Sequence, residues 1–575
     1  MFIDEATLKK IIKEENLLKP EDLHAAVKAA GKTKLALAAY LVNNNLIAED
    51  ALYQSLARYY KVPFIDLKGR EIKSNLIFLI PTPLAVSRQV IAFAKEGNEL
   101  KVAMMDPLDL QTTEFIHRKT NLQIKAYLTT PSALREMLQK YHASLETELQ
   151  IVTTTEENGE GEEKLKKIAE DLPIINIVNS ILDHAVFEGA SDVHVEPMEK
   201  EVLVRYRVDG VLRPVMTLPK QVQPGIIARI KILANLKIDE HMQPQDGRIK
   251  LVVQDEKFSL RVSVLPVYDG EKVVIRLLKE STKPLTLDQL GFTDSDRAKV
   301  EKALEQPHGI LMVTGPTGSG KSTTLYSILN ILNQPGVNIS TIEDPIEYRL
   351  KGVNQSQINP RVGYTFSSGL RSFLRQDPDI IMVGEIRDLE TAEISMHAAM
   401  TGHLVLSTLH TNDAPTTLPR LLDMGIPSFL IAFTAKLIIA QRLVRKVCTF
   451  CKTEYTLTAE NITDLEKMVS TQRMLELFKK NNCLEKGDEK LKAWKFFYGK
   501  GCSRCSNQGY KGRVGIYEVI EVDKNMAALI NKKATTEEIK QAALAVGFTT
   551  VLEDGLIKAK KGITSLEAVL EAARD

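Results

Sequence analysis

The amino-acid sequence predicts a multidomain α/β protein whose largest part is a parallel sheet with helices on both faces. Three observations carry this expectation. At 575 residues the chain exceeds what one hydrophobic core supports. Between about 172 and 280 strand-like runs dominate, joined by helical stretches near 174–188 and 222–237, which reads as an α+β domain. From 290 onward strand-like and helical runs alternate, the pattern of a parallel sheet wrapped by helices.

The elements follow in order. Over 1–60 the apolar residues Leu8, Ile11, Ile12, Leu17 and Leu18, then Leu35, Leu37, Leu41 and Val42, recur at helical spacing. Val90-Ile-Ala-Phe-Ala and Leu100-Lys-Val-Ala-Met flank the turn-rich Lys95-Glu-Gly-Asn-Glu and predict a β-hairpin, with amphipathic helices after it. Residues 1–142 therefore read as an α/β docking domain. Residues 143–166, with Thr153-Thr-Thr-Glu-Glu-Asn-Gly-Glu-Gly-Glu-Glu, lack apolar periodicity and read as a flexible acidic linker. Within 167–282 the strands are Val202–Val208, Ile249–Val253, Phe258–Val264 and Lys272–Leu278, separated by turn signals at Val208-Asp-Gly and Tyr268-Asp-Gly. Residues 288–575 form the parallel-sheet domain.

Hydrophobic residues make up 44% and charged residues 26%, as in ordinary globular proteins. A net charge of +1, from 75 basic and 74 acidic residues, carries no polyanion-binding signal. No stretch reaches the roughly 18–20 apolar residues that cross a bilayer. Phe429–Ile439, broken by Lys436, reads as one core helix. Met1-Phe-Ile-Asp-Glu lacks the basic and apolar regions of a signal peptide, so a cytoplasmic location is expected.

Gly315-Pro-Thr-Gly-Ser-Gly-Lys-Ser fits G-x4-G-K-[ST]. Gly309-Ile-Leu-Met-Val-Thr enters it as a buried strand, and Thr323-Thr-Leu-Tyr-Ser-Ile-Leu leaves it as a helix. Glycines let backbone N–H groups turn inward around phosphate at a helix N-terminus. Gly315, Pro316, Thr317, Gly318, Ser319, Gly320, Lys321, Ser322 and Thr323 are thus the expected nucleotide-binding residues. Lys321 reaches the β- and γ-phosphates of ATP, and Ser322 ligates Mg²⁺.

A second buried strand, Ile380–Val383, ends at Gly384-Glu385, where a carboxylate beside the loop serves Mg²⁺. Many such ATPases carry Asp-Glu at this point, serving metal and water, whereas this chain has Gly-Glu. The second carboxylate is sought in Thr341-Ile-Glu-Asp-Pro-Ile-Glu-Tyr, which supplies Glu343, Asp344 and Glu347 after a strand that Pro345 terminates. One of these polarises the attacking water as general base. His403 and His410 bracket another apolar strand, and a histidine at a strand end can report loss of the γ-phosphate.

These four segments, in this order, resemble the Walker A loop, aspartate box, atypical Walker B and histidine box of the secretion ATPase superfamily. The nearest resemblance is to the extension ATPases of type IV pili and the assembly ATPases of type II secretion. It runs from about 172 to the C-terminus and includes Gly189-Ala-Ser-Asp-Val-His-Val-Glu-Pro, Arg205-Tyr-Arg-Val-Asp-Gly, Gln243-Pro-Gln-Asp-Gly-Arg-Ile and Gly509-Tyr-Lys-Gly-Arg-Val-Gly-Ile-Tyr-Glu. The resemblance implies a RecA-like P-loop core, a PAS-like α+β domain before it, and a homo-hexamer with ATP between subunits. It implies Glu343 as the base, Glu385 near Mg²⁺, His410 in the site, and arginines on the γ-phosphate. By motif position these are Arg207, Arg213 and Arg229 before the core domain, and Arg371 and Arg375 within it. It also implies partners: an inner-membrane platform protein and docking proteins, with the motor held peripherally at the membrane.

Cys448-x2-Cys451 and Cys502-x2-Cys505 are two knuckles that supply four thiolates to a structural Zn²⁺ within an insert at 446–515. Cys483 stands outside them. By resemblance the insert belongs to extension and secretion motors and not to pilus-retraction ATPases. Residues 33–56 resemble a helical repeat that binds cyclic di-GMP, but Lys34-Leu35-Ala36 stands where that repeat begins Arg-Leu-Gly. The departure argues against the ligand and for a docking domain.

The leading expectation is a pilus-extension motor; type II secretion is the alternative, and a conjugation or DNA-uptake motor a weaker one. One Trp in 575 residues and no basic groove with interleaved aromatics argue against direct nucleic-acid binding. A nucleotide-sensing scaffold without turnover is disfavoured by the intact Lys321, Glu343 and Glu385.

Overall fold

The computed structural model describes residues 5–33, 37–70, 76, 79–138, 169–253, 256–280, 284–484 and 494–574. The expected linker at 143–166 and the Lys34-Leu35-Ala36 signature lie outside these residues. The chain divides into two compact units, 1–280 with 502–507, and 281–501 with 508–575.

The first unit opens with four helices, Glu5–Glu14, Pro20–Thr33, Leu37–Asn43 and Glu49–Tyr60, packed around Leu8, Ile12, Leu41, Leu52 and Leu56. A three-stranded sheet follows in the order β1 (Val90–Glu96), β2 (Glu99–Met104), β3 (Gln123–Leu128). The expected hairpin is β1–β2, antiparallel. Strand β3 lay hidden in the expected helical stretch; it pairs parallel to β2 after the crossover helix Leu110–Thr120.

Beyond it, six antiparallel strands lie in the order β6 (Val211–Pro219), β5 (Glu201–Val208), β4 (Asp192–Pro197), β9 (Gly270–Lys279), β8 (Glu256–Val267), β7 (Gln245–Val253). Helices Leu172–Phe187 and Gln223–Leu233 share its apolar core, with Ile181, Tyr206, Ile226 and Val262 among the buried residues. The helices and four strands match the expected runs. Strands β4 and β6 had no clear apolar signal, since Asp192-Val-His-Val-Glu-Pro and Val211-Leu-Arg-Pro-Val carry charges and prolines.

The second unit is built on a seven-stranded sheet in the order β12 (Asn354–Gln357), β11 (Ile339–Glu343), β13 (Ile380–Val383), β14 (Leu404–Leu409), β10 (Gly309–Thr314), β15 (Ala435–Val447), β18 (Tyr510–Glu521). All pairings are parallel except β15–β18. Alternation along β10 shows why both faces are covered. Ile310 and Met312 enter one core, with Leu370 and Met396, while Leu311 and Val313 enter the other, with Leu325 and Leu329.

One expected helix is wrong. Phe429–Ile439 is split between helix Ser428–Thr434 and the start of β15, with Ala435 extended at the boundary. A short apolar run does not reveal its own period, and β-branched Ile438 and Ile439 belong to the strand. Between β15 and β18 the insert carries the two-stranded sheet β16 (Lys452–Thr456) and β17 (Lys495–Gly499), with helices Ala459–Met468 and Thr471–Lys480. No helix among the described residues is long and apolar enough to cross a membrane.

Candidate active site

Parallel strands place their C-terminal ends on one edge of a sheet, and there the sequence motifs converge. Strand β10 delivers the loop Gly315–Gly320, and helix Lys321–Leu332 leaves it. At Gly315, with φ near 143°, a side-chain Cβ would lie 2.4 Å from the Gln441 carbonyl oxygen, so only glycine fits. Gln441, buried on β15, steadies the loop from inside: its amide donates to the Ser319 carbonyl at 2.7 Å and accepts from Thr324 at 2.7 Å. Sequence reasoning missed Gln441, although a lone amide within the apolar run Leu437–Val444 was a signal.

Lys321 extends along the loop and donates to the carbonyls of Gly315 at 2.9 Å and Pro316 at 3.1 Å. Burial lowers its pKa, and nearby Glu385 acts in the opposite direction. The Ser319 hydroxyl is buried without a hydrogen-bond partner. A lysine lying along a glycine-rich loop that opens a helix, beside an unsatisfied hydroxyl, fits a phosphate chain.

Glu385 follows β13, with its side chain 13% exposed and held by the Arg387 guanidinium and by His410 Nε2 at 3.2 Å. Arg387 was not among the expected residues. Strand β14 lies between β13 and β10, so Glu385 sits two strands away from the loop and not on a strand adjoining it. His410 closes that gap from the end of β14, where Thr411 and Thr314 hydroxyls meet at 2.6 Å. His403 lies at the other end of β14, bonded to the Ala398 carbonyl at 3.0 Å, and is a helix-end histidine remote from this edge.

Glu343 ends β11 and is buried, only 4% exposed. Its carboxylate accepts from the Tyr326 hydroxyl, from Thr341 at 2.5 Å and from Gln355 at 3.1 Å. Burial raises its pKa, while these three donors pull it down. The position before Glu385 is also tightly packed. A Cβ at Gly384 would stand 3.3 Å from the Glu343 Cα and 3.2 Å from the Ile342 oxygen, because β13 and β11 are neighbours and the Gly384 N–H bonds the Ile342 carbonyl at 2.8 Å. A side chain there would require the neighbouring strand to give by a few tenths of an ångström.

The candidate arginines are dispersed. Arg371 pairs with Glu390 at 2.6 Å, and Arg375 donates to the Arg371 carbonyl at 3.0 Å, both exposed. In the first unit Arg207 bonds the Gly210 carbonyl at 3.0 Å, with Asp192 at 3.6 Å. Arg213 is registered opposite Tyr206 and Arg207 opposite Leu212, so alternation sends Arg207 and Arg213 to opposite sheet faces. Arg229, on helix Gln223–Leu233, is half-buried, and its Nε has no hydrogen-bond partner.

Away from this edge, the Sγ atoms of Cys448, Cys451, Cys502 and Cys505 all lie within 4.8 Å of one another, and all four residues are buried. Cys502 and Cys505 sulfurs are 3.6 Å apart. Tetrahedral Zn–S bonds of about 2.3 Å require sulfur spacings of roughly 3.8 Å, so the cluster suits Zn²⁺. Cys483 stands apart; its thiol bonds the Asn481 carbonyl at 3.3 Å, and burial raises its pKa.

A glycine-lined loop opening a helix, a lysine within it and an acid two strands away on a parallel sheet define a P-loop ATPase of the RecA-like type. The model of the family described as Type II/IV secretion system protein matches residues 167–571, and that of the MshEN domain matches residues 60–148. The chain is 40% identical over 572 residues, 98% of each chain, to a type IV pilus assembly ATPase of Myxococcus xanthus. It is 36% identical over 581 residues, 99% of each, to a type II secretion system protein E of Xanthomonas campestris. Among solved structures, the Legionella pneumophila ATPase DotB shares the fold, with a TM-score of 0.50 at 22% identity over 69% of this chain and 95% of that one. This chain belongs to the type II/IV secretion ATPase family and is an ATP-hydrolysing enzyme.

Proposed function

We propose that this chain is the motor that extends a type IV pilus, working as a cytoplasmic hexamer held at the inner membrane by a platform protein and docking proteins. The observation that carries the reading is the 40% identity running through 98% of both chains with a pilus assembly ATPase. Assembly of a type II secretion pseudopilus is the second reading, favoured by the 36% match along 99% of both chains.

In this reading Gly315–Thr323 cradles ATP, and Lys321 leaves its carbonyl partners for the β- and γ-phosphates. Magnesium, held by Ser322 and Glu385, would offset phosphate charge. Glu343 accepts the proton of the attacking water, and His410, already bonded to Glu385, registers loss of the γ-phosphate. Arg207, Arg213, Arg229, Arg371 and Arg375 are the candidate arginines that meet the γ-phosphate across subunits. The four thiolates hold a structural zinc. Residues 1–142 serve as the docking domain, 143–166 as its linker, 167–282 as a PAS-like domain, and 288–575, with the 446–515 insert, as the motor core.

Deleting the gene in its own host should abolish surface pili seen by electron microscopy. A Lys321→Ala copy should fail to restore them and should lose ATP turnover when purified. Pili that persist while exported enzymes stay inside the cell would move the assignment to type II secretion.

A further inference from the structure

The acid at the end of β11 is tied to the phosphate-binding helix by one side chain. Tyr326 lies on helix Lys321–Leu332, four residues beyond Ser322 and so on the same helix face one turn along. Its ring is fully buried and packs edge-to-face on Tyr348, with centroids 4.6 Å apart. Its hydroxyl donates to Glu343 Oε2 and accepts from the Glu347 N–H at 3.3 Å. Thr341 and Gln355 bind the other carboxylate oxygen.

An ionised carboxylate has about four acceptor sites. Three donors therefore fix the group and leave one site for a water. Two of the three come from β11 and its neighbour β12, the sheet itself. Only Tyr326 comes from the element that carries the phosphate loop. A shift of that helix on arrival or loss of the γ-phosphate would therefore reach the carboxylate through Tyr326.

We propose that Tyr326 is a positioning residue for hydrolysis, holding Glu343 in register with the phosphate-binding helix. The inference rests on Glu343 as the base and goes beyond it by naming what couples that base to the bound nucleotide. Tyr326 acts through Glu343.

The test is a double-mutant cycle on the full chain, read as steady-state kcat, KM and nucleotide affinity from a fluorescent ATP analogue. Tyr326→Phe keeps the buried ring and removes the donor. It should lower kcat about ten-fold, with nucleotide affinity within about two-fold of wild type. In a Glu343→Asp background, whose shorter carboxylate no longer reaches the phenol, Tyr326→Phe should cause no further loss. Tyr348→Phe, whose hydroxyl is not among the donors to Glu343, should match wild type. Additive losses in the double mutant, or a loss expressed in affinity instead of kcat, would overturn the positioning role. Wild-type kcat in Tyr326→Phe beside an inactive Glu343→Gln would also overturn it, and would leave the base reading standing. Wild-type turnover in Glu343→Gln would instead remove the base assignment and this inference with it.

Discussion

Single residues in this chain are set by what surrounds them more than by what they are. His184 is the clearest titrating example. On helix Leu172–Phe187 it is 1% exposed, with the Ser87 hydroxyl 3.0 Å from Nε2, and burial pushes its pKa from 6.5 down to about 4. Glu188 opposes that shift and Arg88 adds to it. The folded chain holds the neutral imidazole, so the unfolded chain protonates first as acidity rises. Stability from this residue is complete above pH 6.5 and declines as pH falls toward 4, by up to about 3 kcal/mol at about 1.4 kcal/mol per pH unit. Protection factors at helix Leu172–Phe187, that is exchange corrected for its intrinsic pH dependence, should therefore fall between pH 6.5 and 5 in wild type. The change should be weaker in His184→Asn, and identical pH dependence in both would rule the residue out as its source. The loop between β10 and helix Lys321–Leu332 was legible because the glycine spacing and its apolar flanks mark a strand-to-helix turn. The burial of Glu343 was not, since three acids within five residues read as a solvated loop. What hides it is Tyr326, seventeen positions earlier on another element, and no local pattern records such a meeting.

At the scale of elements, the order of motifs along the chain was legible and their order across the sheet was not. Each buried strand announces itself by apolar content, but which strand lies beside which depends on the crossovers. Interposing β14 leaves Glu385 two strands from the phosphate loop and brings His410, at its end, between them. Likewise, the apolar run at 429–439 carried no mark of the turn from helix to strand at Ala435. The cysteine knuckles were legible because metal coordination fixes spacing directly. They join segments separated by β16, two helices and β17, so a metal bound there would close the base of the insert. Purified protein should carry about one zinc per chain. Cys502→Ser should lose the metal and lower the melting temperature of the full chain. Cys483→Ser should change neither, as its thiol bonds only the Asn481 carbonyl among the described residues. Elemental analysis finding no zinc in reduced, unchelated protein would refute the site.

At the scale of the whole molecule, the question is where the second cation for the γ-phosphate comes from. The helix after the loop supplies Lys321, and in the same unit Arg387 pairs with Glu385 and Arg371 with Glu390. Arg207, Arg213 and Arg229 belong to the other compact unit. A charge that develops on the transferred phosphoryl group is best met by cations brought in when rigid bodies move, which couples chemistry to motion. A ring supplies such bodies from its neighbours. ATPase activity per chain should therefore rise with protein concentration as rings assemble, followed in parallel by light scattering. Mixing Arg207→Ala chains with Lys321→Ala chains gives some interfaces in which an intact loop faces an intact Arg207. If Arg207 acts across subunits, the mixture should recover activity that neither variant has alone. If it acts within its own chain, every subunit carries one lesion in its own site, and mixing should recover none. Full activity from a monodisperse monomer would remove the ring from the account and leave the phosphate-loop chemistry to stand by itself.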